Sequence, residues 1–343
     1  MRPALLALLA AATPVFAAPA PNPAPAPTPT PAPTYAVTGS IAGPDGGWDY
    51  ARVDSKAHRL YVARPDSVTM VDLAKGDATS WGTLARGHAV VPLPDHRLLV
   101  TSGNDATVRF FDTTSGRQIA SLPVGKKPDA AIDDEPHARA YVMNGVGGTV
   151  SVIDTNAMRV TRTIAVKPAL EYAALADGTL FINNEDLNEI EVVDVAQGKT
   201  SAPIAMPGCE GPTGLAYDAR RAMLVSACSN GQAAIVDAKA RRLVTLIPIG
   251  KGADAVILDA ARRLAFVPCG KDGVLDILAL DRPGGIAHAG RVTTEVGART
   301  GALDPATGIV YLPTARFAPS QAAGARPAPL PGSFHILVVT PKG

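Results

Sequence analysis

Residues 59–72 read RLYVARPDSVTMVD, an apolar segment, a turn, and a second apolar segment that stops on aspartate. This phrase recurs along the chain. Arg59-Leu60-Tyr61-Val62 is echoed by Leu98-Leu99-Val100, Ala140-Tyr141-Val142, Leu180-Phe181-Ile182, Met223-Leu224-Val225, Ala265-Phe266-Val267 and Val310-Tyr311-Leu312. The centres lie 38 to 45 residues apart. The ending Met70-Val71-Asp72 returns as Phe110-Phe111-Asp112, Val152-Ile153-Asp154, Val192-Val193-Asp194, Ile235-Val236-Asp237 and, more loosely, Leu278 to Asp281. A third echo precedes several of these units, as in Ala131-Ile132-Asp133, Ala216-Tyr217-Asp218, Ile257-Leu258-Asp259 and Ala302-Leu303-Asp304.

Each unit therefore holds three short β-branched segments and a fourth, such as Gln118 to Pro123 or Leu243 to Pro248, separated by Gly, Asn and Asp turns. No stretch keeps a helical period over three turns. Four strands in about 42 residues is the pattern of a propeller blade. An open β-solenoid would need shorter repeats. The reading is all-β: a seven-bladed β-propeller of four-stranded blades over residues 35–343. The seventh unit supplies only three strands, Gly301 to Asp304, Gly308 to Pro313 and Phe334 to Thr340. Its missing outer strand is at the other end of the chain, Tyr35 to Ile41 (YAVTGSI). Joining the two ends leaves no partial sheet unpaired.

Composition agrees. Of 343 residues, 47% are hydrophobic, 18% charged and 5% aromatic, with 32 Gly and 31 Pro. That is too apolar for disorder and rich in turn formers. Lys plus Arg number 32 against 31 Asp plus Glu, a net charge of +1 that provides no footprint for nucleic acid. Residues 1–17, MRPALLALLAAATPVFA, read as a cleaved signal peptide: Arg2, a short apolar run, and small residues at Val15-Phe16-Ala17. That run is too short to span a bilayer, and no later stretch reaches the required length. Residues 18–34 alternate proline with other residues, an extended linker unable to join a hydrogen-bond ladder. The expectation is a periplasmic or secreted, monomeric protein without a membrane span.

Tyr141-Val142-Met143-Asn144 resembles the Tyr-Val-Thr-Asn signature of YVTN-repeat β-propellers, and the Val/Ile-Asp strand ending followed by glycine fits the same family. Gly47-Trp48-Asp49, Gly125 to Ala130 (GKKPDA), Pro212 to Ala216 (PTGLA) and Ala298 to Asp304 (ARTGALD) resemble its exported bacterial branch. The resemblance covers residues 35–343 and implies a seven-bladed propeller outside the cytoplasm. The family has no single activity, so none follows.

Loops that lead into the inner strands of a propeller converge on one rim of the central channel, the default ligand site. The residues at that position are Asp49, His88, Asp129, Glu171, Thr213, Asp254 and Arg299, with Trp48, Tyr50 and Tyr172 beside them. Six of the seven are ionisable in a chain that is 18% charged. Such a ring could hold a divalent cation or clamp a small polar ligand; alternatively, the same residues cap the turns. No G-x-S-x-G or H-E-x-x-H motif occurs. His58, His96 and His137 fall in turns at the opposite end of separate blades, and His288 and His335 have no evident partners. Cys209 precedes the first strand of its blade and Cys228 follows the second, which allows a disulfide between them; Cys228–Cys269 is the alternative pairing.

The function expected is a noncatalytic binding module for a small ligand, a metal ion or an exported protein partner. The rival is a metal-assisted propeller enzyme of the lactonase or lyase type. A quinoprotein dehydrogenase would need a shelf of stacked aromatics, and the chain has two tryptophans.

Overall fold

A computed structural model describes residues 34–318 and 328–342. The segments read as signal peptide and proline-rich linker, residues 1–33, lie outside the described residues. Seven four-stranded antiparallel sheets form a ring. Blade 1 runs Ala51–Asp54, Arg59–Ala63, Val68–Asp72, Asp77–Trp81 from the axis outward. Blades 2 to 6 begin with the inner strands Gly87–Leu93, Pro128–Asp134, Leu170–Ala176, Pro212–Asp218 and Ile257–Asp259. Each inner strand touches that of the next blade, and Ala302–Asp304 of blade 7 returns to blade 1. Among the described residues the only helix is a single turn, Glu135–His137, and no helix is long and apolar enough to cross a membrane.

Position within a blade explains the apolar phrases. The second and third strands face neighbouring blades on both sides, so nearly every residue is buried, as in Arg139–Asn144 and Glu189–Asp194. A strand covered on both faces reads as a continuous apolar run. The outer strands, such as Lys199–Ala205, are mostly exposed and polar. The aspartate that ends most third strands is a turn device. Asp72 Oδ1 accepts from the backbone N–H groups of Ala74 and Lys75, and Asp112 Oδ1 from those of Thr114 and Ser115. Four residues after the aspartate the backbone takes positive φ, which suits Gly76 and Gly116.

Closure follows the expected arrangement. Tyr35–Ala42 pairs antiparallel with His335–Pro341, from Tyr35 opposite Pro341 to Ala42 opposite His335, with a bulge between Val37 and Gly39. The last blade thus joins both ends of the described chain. Cys209 and Cys228 form a disulfide with a Cα–Cα distance of 5.3 Å. Cys269 is a buried free thiol, so the alternative pairing does not occur.

Two outcomes test these features. A chain starting at Gly43 lacks the closing strand and exposes the edge of His335–Pro341; it should melt well below a chain starting at Ala32, or aggregate. Equal melting temperatures would refute closure. Replacing Cys209 and Cys228 with serine should cost about 3 kcal/mol by urea denaturation, because the bridge closes a loop with a sequence separation of 19.

Candidate functional site

In blades 2 to 5 the ladder between the first and second strands breaks at one place. The register skips from Gly87 to Val90, Pro128 to Ala131, Leu170 to Ala173, and Pro212 to Leu215. The residues released are His88-Ala89, Asp129-Ala130, Glu171-Tyr172 and Thr213-Gly214. Such an irregularity frees a strand residue from its ladder and re-aims its side chain. Here it happens at the position singled out from the sequence.

A belt of cross-blade hydrogen bonds holds these bulges. Tyr50 N–H donates to the His88 carbonyl. Thr101 Oγ1 accepts from Ala89 N–H and donates to the Asp129 carbonyl. Asn183 Nδ2 donates to the carbonyls of Thr213 and Gly214, Thr213 Oγ1 to Ala253, and Thr300 Oγ1 to Asp49. Thr213 therefore serves the turn architecture, one of the two roles the sequence allowed for the ring.

Five of the six charged members fall into two groups. His88 Nδ1 lies 2.7 Å from Asp49 Oδ2 and 3.5 Å from Asp129 Oδ1. One ligand atom from each of these three residues lies within 4.8 Å of the others. His88 and Asp129 are buried at 4% and 6% exposure, so neither carboxylate nor ring is paid for by water. His88 Nε2 is buried without a partner, and a Cβ at Gly103 would stand 2.8 Å from it; Gly103 thus makes room for the ring. In the second group, Arg299 Nε donates to Asp254 Oδ2 at 2.9 Å and Nη2 to the Trp48 carbonyl at 3.1 Å. The Trp48 ring is buried. It packs between Phe334 and Phe317, with centroids 5.5 and 6.2 Å away, and carries the Arg299 guanidinium 5.8 Å from its own centroid.

The ring is short of positive charge. Burial, then the charges of Asp129 and Asp254, pushes Glu171 far above the usual carboxylate range. Burial raises Asp129, with His88 pulling it down and Asp49 pushing it up. Asp254 is raised to about 6 by burial, against the attraction of Arg299. Tyr50 is held well above its ordinary value by burial and the four surrounding acids. Burial opposes the charge on Lys127, but Asp129, 3.3 Å from its Nζ, prevails and raises it.

Sequence comparison across blades did not single out Lys127, Glu185 or Arg52. Glu185 adds to the charge that lifts Glu171. Arg52 Nη2 donates to Tyr172 Oη at 2.6 Å, and the Tyr172 ring meets that of Tyr50 with centroids 5.0 Å apart. Blades 1 and 4 thereby touch across the channel. His58, His96 and His137 are exposed turn residues, as expected. The expectation for the last two histidines is corrected: His288 Nε2 lies 2.7 Å from buried Asp276 Oδ1, which Arg291 also contacts, and His335 Nε2 lies 3.2 Å from Glu295. These partners come from the blade 6 hairpin Val274–Arg282/Gly285–Thr293 and the link after it, where the repeat pattern is loosest.

No family model matches the chain, and no curated protein matches it by sequence. Solved structures do. A chain of Kuenenia stuttgartiensis hydrazine synthase superposes with a TM-score of 0.69 at 16% identity, over 80% of this chain and 95% of that one. A chain of a mitotic checkpoint complex superposes with a TM-score of 0.70 at 14% identity, over 88% and 95%. At such identities the likeness shows the propeller fold alone.

The crowded acids set the sign of a pH dependence. Asp254 and Glu171 hold protons in the folded state that the unfolded chain releases above about pH 4. The folded state then binds more protons, so stability falls as pH rises from about 4 through 6. The carboxylates lowered by turns, such as Asp72 and Asp112, act below that window. Metal-free protein should therefore melt higher at pH 5 than at pH 7.5. Glu171→Gln should flatten the profile and raise the melting temperature at pH 7.5 by roughly 2–4 °C, the shift expected from ~1 kcal/mol. A lower melting temperature for that variant would show that Glu171 stabilises the rim as a carboxylate.

Proposed function

We propose that this is an exported binding propeller of the YVTN-repeat type whose channel rim holds a divalent cation at Asp49, His88 and Asp129. One observation carries the reading: an imidazole nitrogen and two carboxylates stand within 4.8 Å of one another in a ring whose remaining acids are forced toward their protonated forms. A cation there would relieve that repulsion, and no rearrangement of the fold is needed to bring the ligands together. One nitrogen and two carboxylates suit Mn²⁺ or Zn²⁺ better than Ca²⁺, which prefers six to eight oxygens. Burial raises Asp129 toward its protonated form, and a bound cation needs its carboxylate, so affinity should rise with pH. The disulfide supports an oxidising compartment, in line with the N-terminal signal.

The second reading is a metal-assisted enzyme of the lactonase or lyase type. Glu171 favours it, because a carboxyl kept protonated beside a metal nest is placed to give a proton to a leaving group. Lys127 and Arg299 would then hold an anionic part of the substrate.

Calorimetric titration of chelator-treated full-length protein with Mn²⁺ and Zn²⁺ tests the site. We expect one equivalent to bind and to raise the melting temperature at pH 7.5. Asp129→Asn and His88→Gln should each weaken binding at least tenfold while Thr213→Val should not. Undiminished affinity in both rim variants would overturn the assignment.

A further inference from the structure

Below the Tyr50–Tyr172 contact the channel opens into a cavity of about 490 Å³. Its walls are the inner strands, including Ala51–Val53, Ala173–Leu175, Leu215–Tyr217, Ala255–Leu258 and Gly301–Leu303. None of Asp49, His88, Asp129, Glu171, Asp254 or Arg299 lines it. The aromatic pair therefore separates it from the acidic rim. The volume falls in the range of small-molecule sites.

Arg52 and Asp133 are the two charged residues in its lining, and Asp133 is exposed. Arg52 is the distinctive one. Among the described residues no carboxylate lies within 4.0 Å of its guanidinium, and its single side-chain hydrogen bond goes to the Tyr172 hydroxyl at 2.6 Å. Tyr172 also offers its ring face, 5.9 Å from Arg52 Cζ. The Tyr172 contact fixes the direction of the guanidinium and uses one of its five N–H donors. The other wall residues are largely Ala, Val, Ile and Leu, which present both side chain and backbone to the cavity. The inner strands are also sheet edges, so their channel-facing backbone groups have no ladder partner.

We infer that this cavity is a second binding site, independent of the cation at the rim, for a small organic carboxylate. The guanidinium fork matches a carboxylate in a two-pronged contact, which Lys in the same place would not reproduce. Asp133 is the one acid in the lining that acts on Arg52, and it makes no ion pair with it; the guanidinium therefore keeps donors free for an anion, whose body the apolar wall residues can cover. Entry is from the face opposite the rim, where Asp133, Leu258, Leu303 and Pro305 border the cavity. Asp133 at that mouth disfavours dianions and leaves monocarboxylates as the preferred class.

Hexanoate is the probe and hexanamide its neutral counterpart, titrated by calorimetry into full-length protein freed of metal by chelation. Removing the metal prevents the probe from binding at the rim through a cation. We expect saturable hexanoate binding, at least tenfold tighter than hexanamide. Arg52→Met should remove that preference, and Leu303→Trp, which narrows the cavity without touching Arg52, should weaken hexanoate at least tenfold. Mn²⁺ binding at the rim should stay unchanged in Leu303→Trp. Equal affinity for acid and amide, no hexanoate binding by ~10 mM, or full binding in folded Arg52→Met would each overturn the site. The first two outcomes need only the unaltered protein, so they hold even if a variant fails to fold. Loss of Mn²⁺ binding with hexanoate binding intact, or the reverse, tells failure of one site from failure of the other.

Discussion

The ring must close. A propeller blade has no face of its own to bury: its apolar sides exist only against two neighbours, and one missing contact would leave two faces bare. Two sets of interactions enforce closure. At the periphery, Tyr35–Ala42 completes the blade that ends at Pro341, so both ends of the described fold are paired within one four-stranded sheet. At the axis, the belt from Tyr50 to His88, Thr101 to Asp129, Asn183 to Thr213 and Thr300 to Asp49 ties successive blades through backbone carbonyls. Each such bond is worth only about 1 kcal/mol. Their effect is geometric: they determine where the bulged residues of the inner strands stand.

That placement creates the electrostatics of the rim. The bulges of blades 2 to 4 supply His88, Asp129 and Glu171, the segments before the other inner strands supply Asp49, Asp254 and Arg299, and the ring has no room to keep like charges apart. Asp129, Glu171 and Asp254 are all pushed toward their neutral forms, and burial is the first cause for each. A site composed only for turn geometry would not need four acids there, since Thr213 serves the same belt with a neutral hydroxyl. The crowding is tolerated because the apolar core lies in the two middle strands of every blade, most of whose side chains are buried.

This division also explains what could be read from the sequence. Strands covered on both faces write continuous apolar runs, and each turn writes an aspartate before a residue of positive φ. Seven copies in register therefore revealed the blade number, the closing strand and the rim position. Asp49, His88 and Asp129 do meet, because blades 1, 2 and 3 are neighbours and share one alignment. Contacts that depend on the width of the channel left no periodic signal. Arg52 reaching Tyr172 joins blades 1 and 4, and nothing in either repeat specifies that distance. The direction of the Trp48 ring was equally hidden, since its neighbours Phe317 and Phe334 come from the irregular part of the last blade. His288 found Asp276 across a hairpin longer than its counterparts, where aligning repeats loses its meaning.

The division of the channel into two compartments comes from a single step along the chain. Asp49 is followed by Tyr50 and Glu171 by Tyr172, so in blades 1 and 4 the residue after each rim acid is a ring. These two rings, from blades 1 and 4, meet with centroids 5.0 Å apart. Two positions beyond Asp49's neighbour Tyr50 stands Arg52, on the same side of its strand and one level further down, which is where Tyr172 can receive it. Acid, aromatic and guanidinium thus follow in order along one short segment, Asp49 to Arg52, that leads into the inner strand of blade 1. The rim carries the crowded acids, the partition is neutral because burial, and then those same acids, suppress ionisation of Tyr50, and the chamber beneath presents its cation. One short segment therefore carries a part of both sites, while the blades around it supply the rest of each.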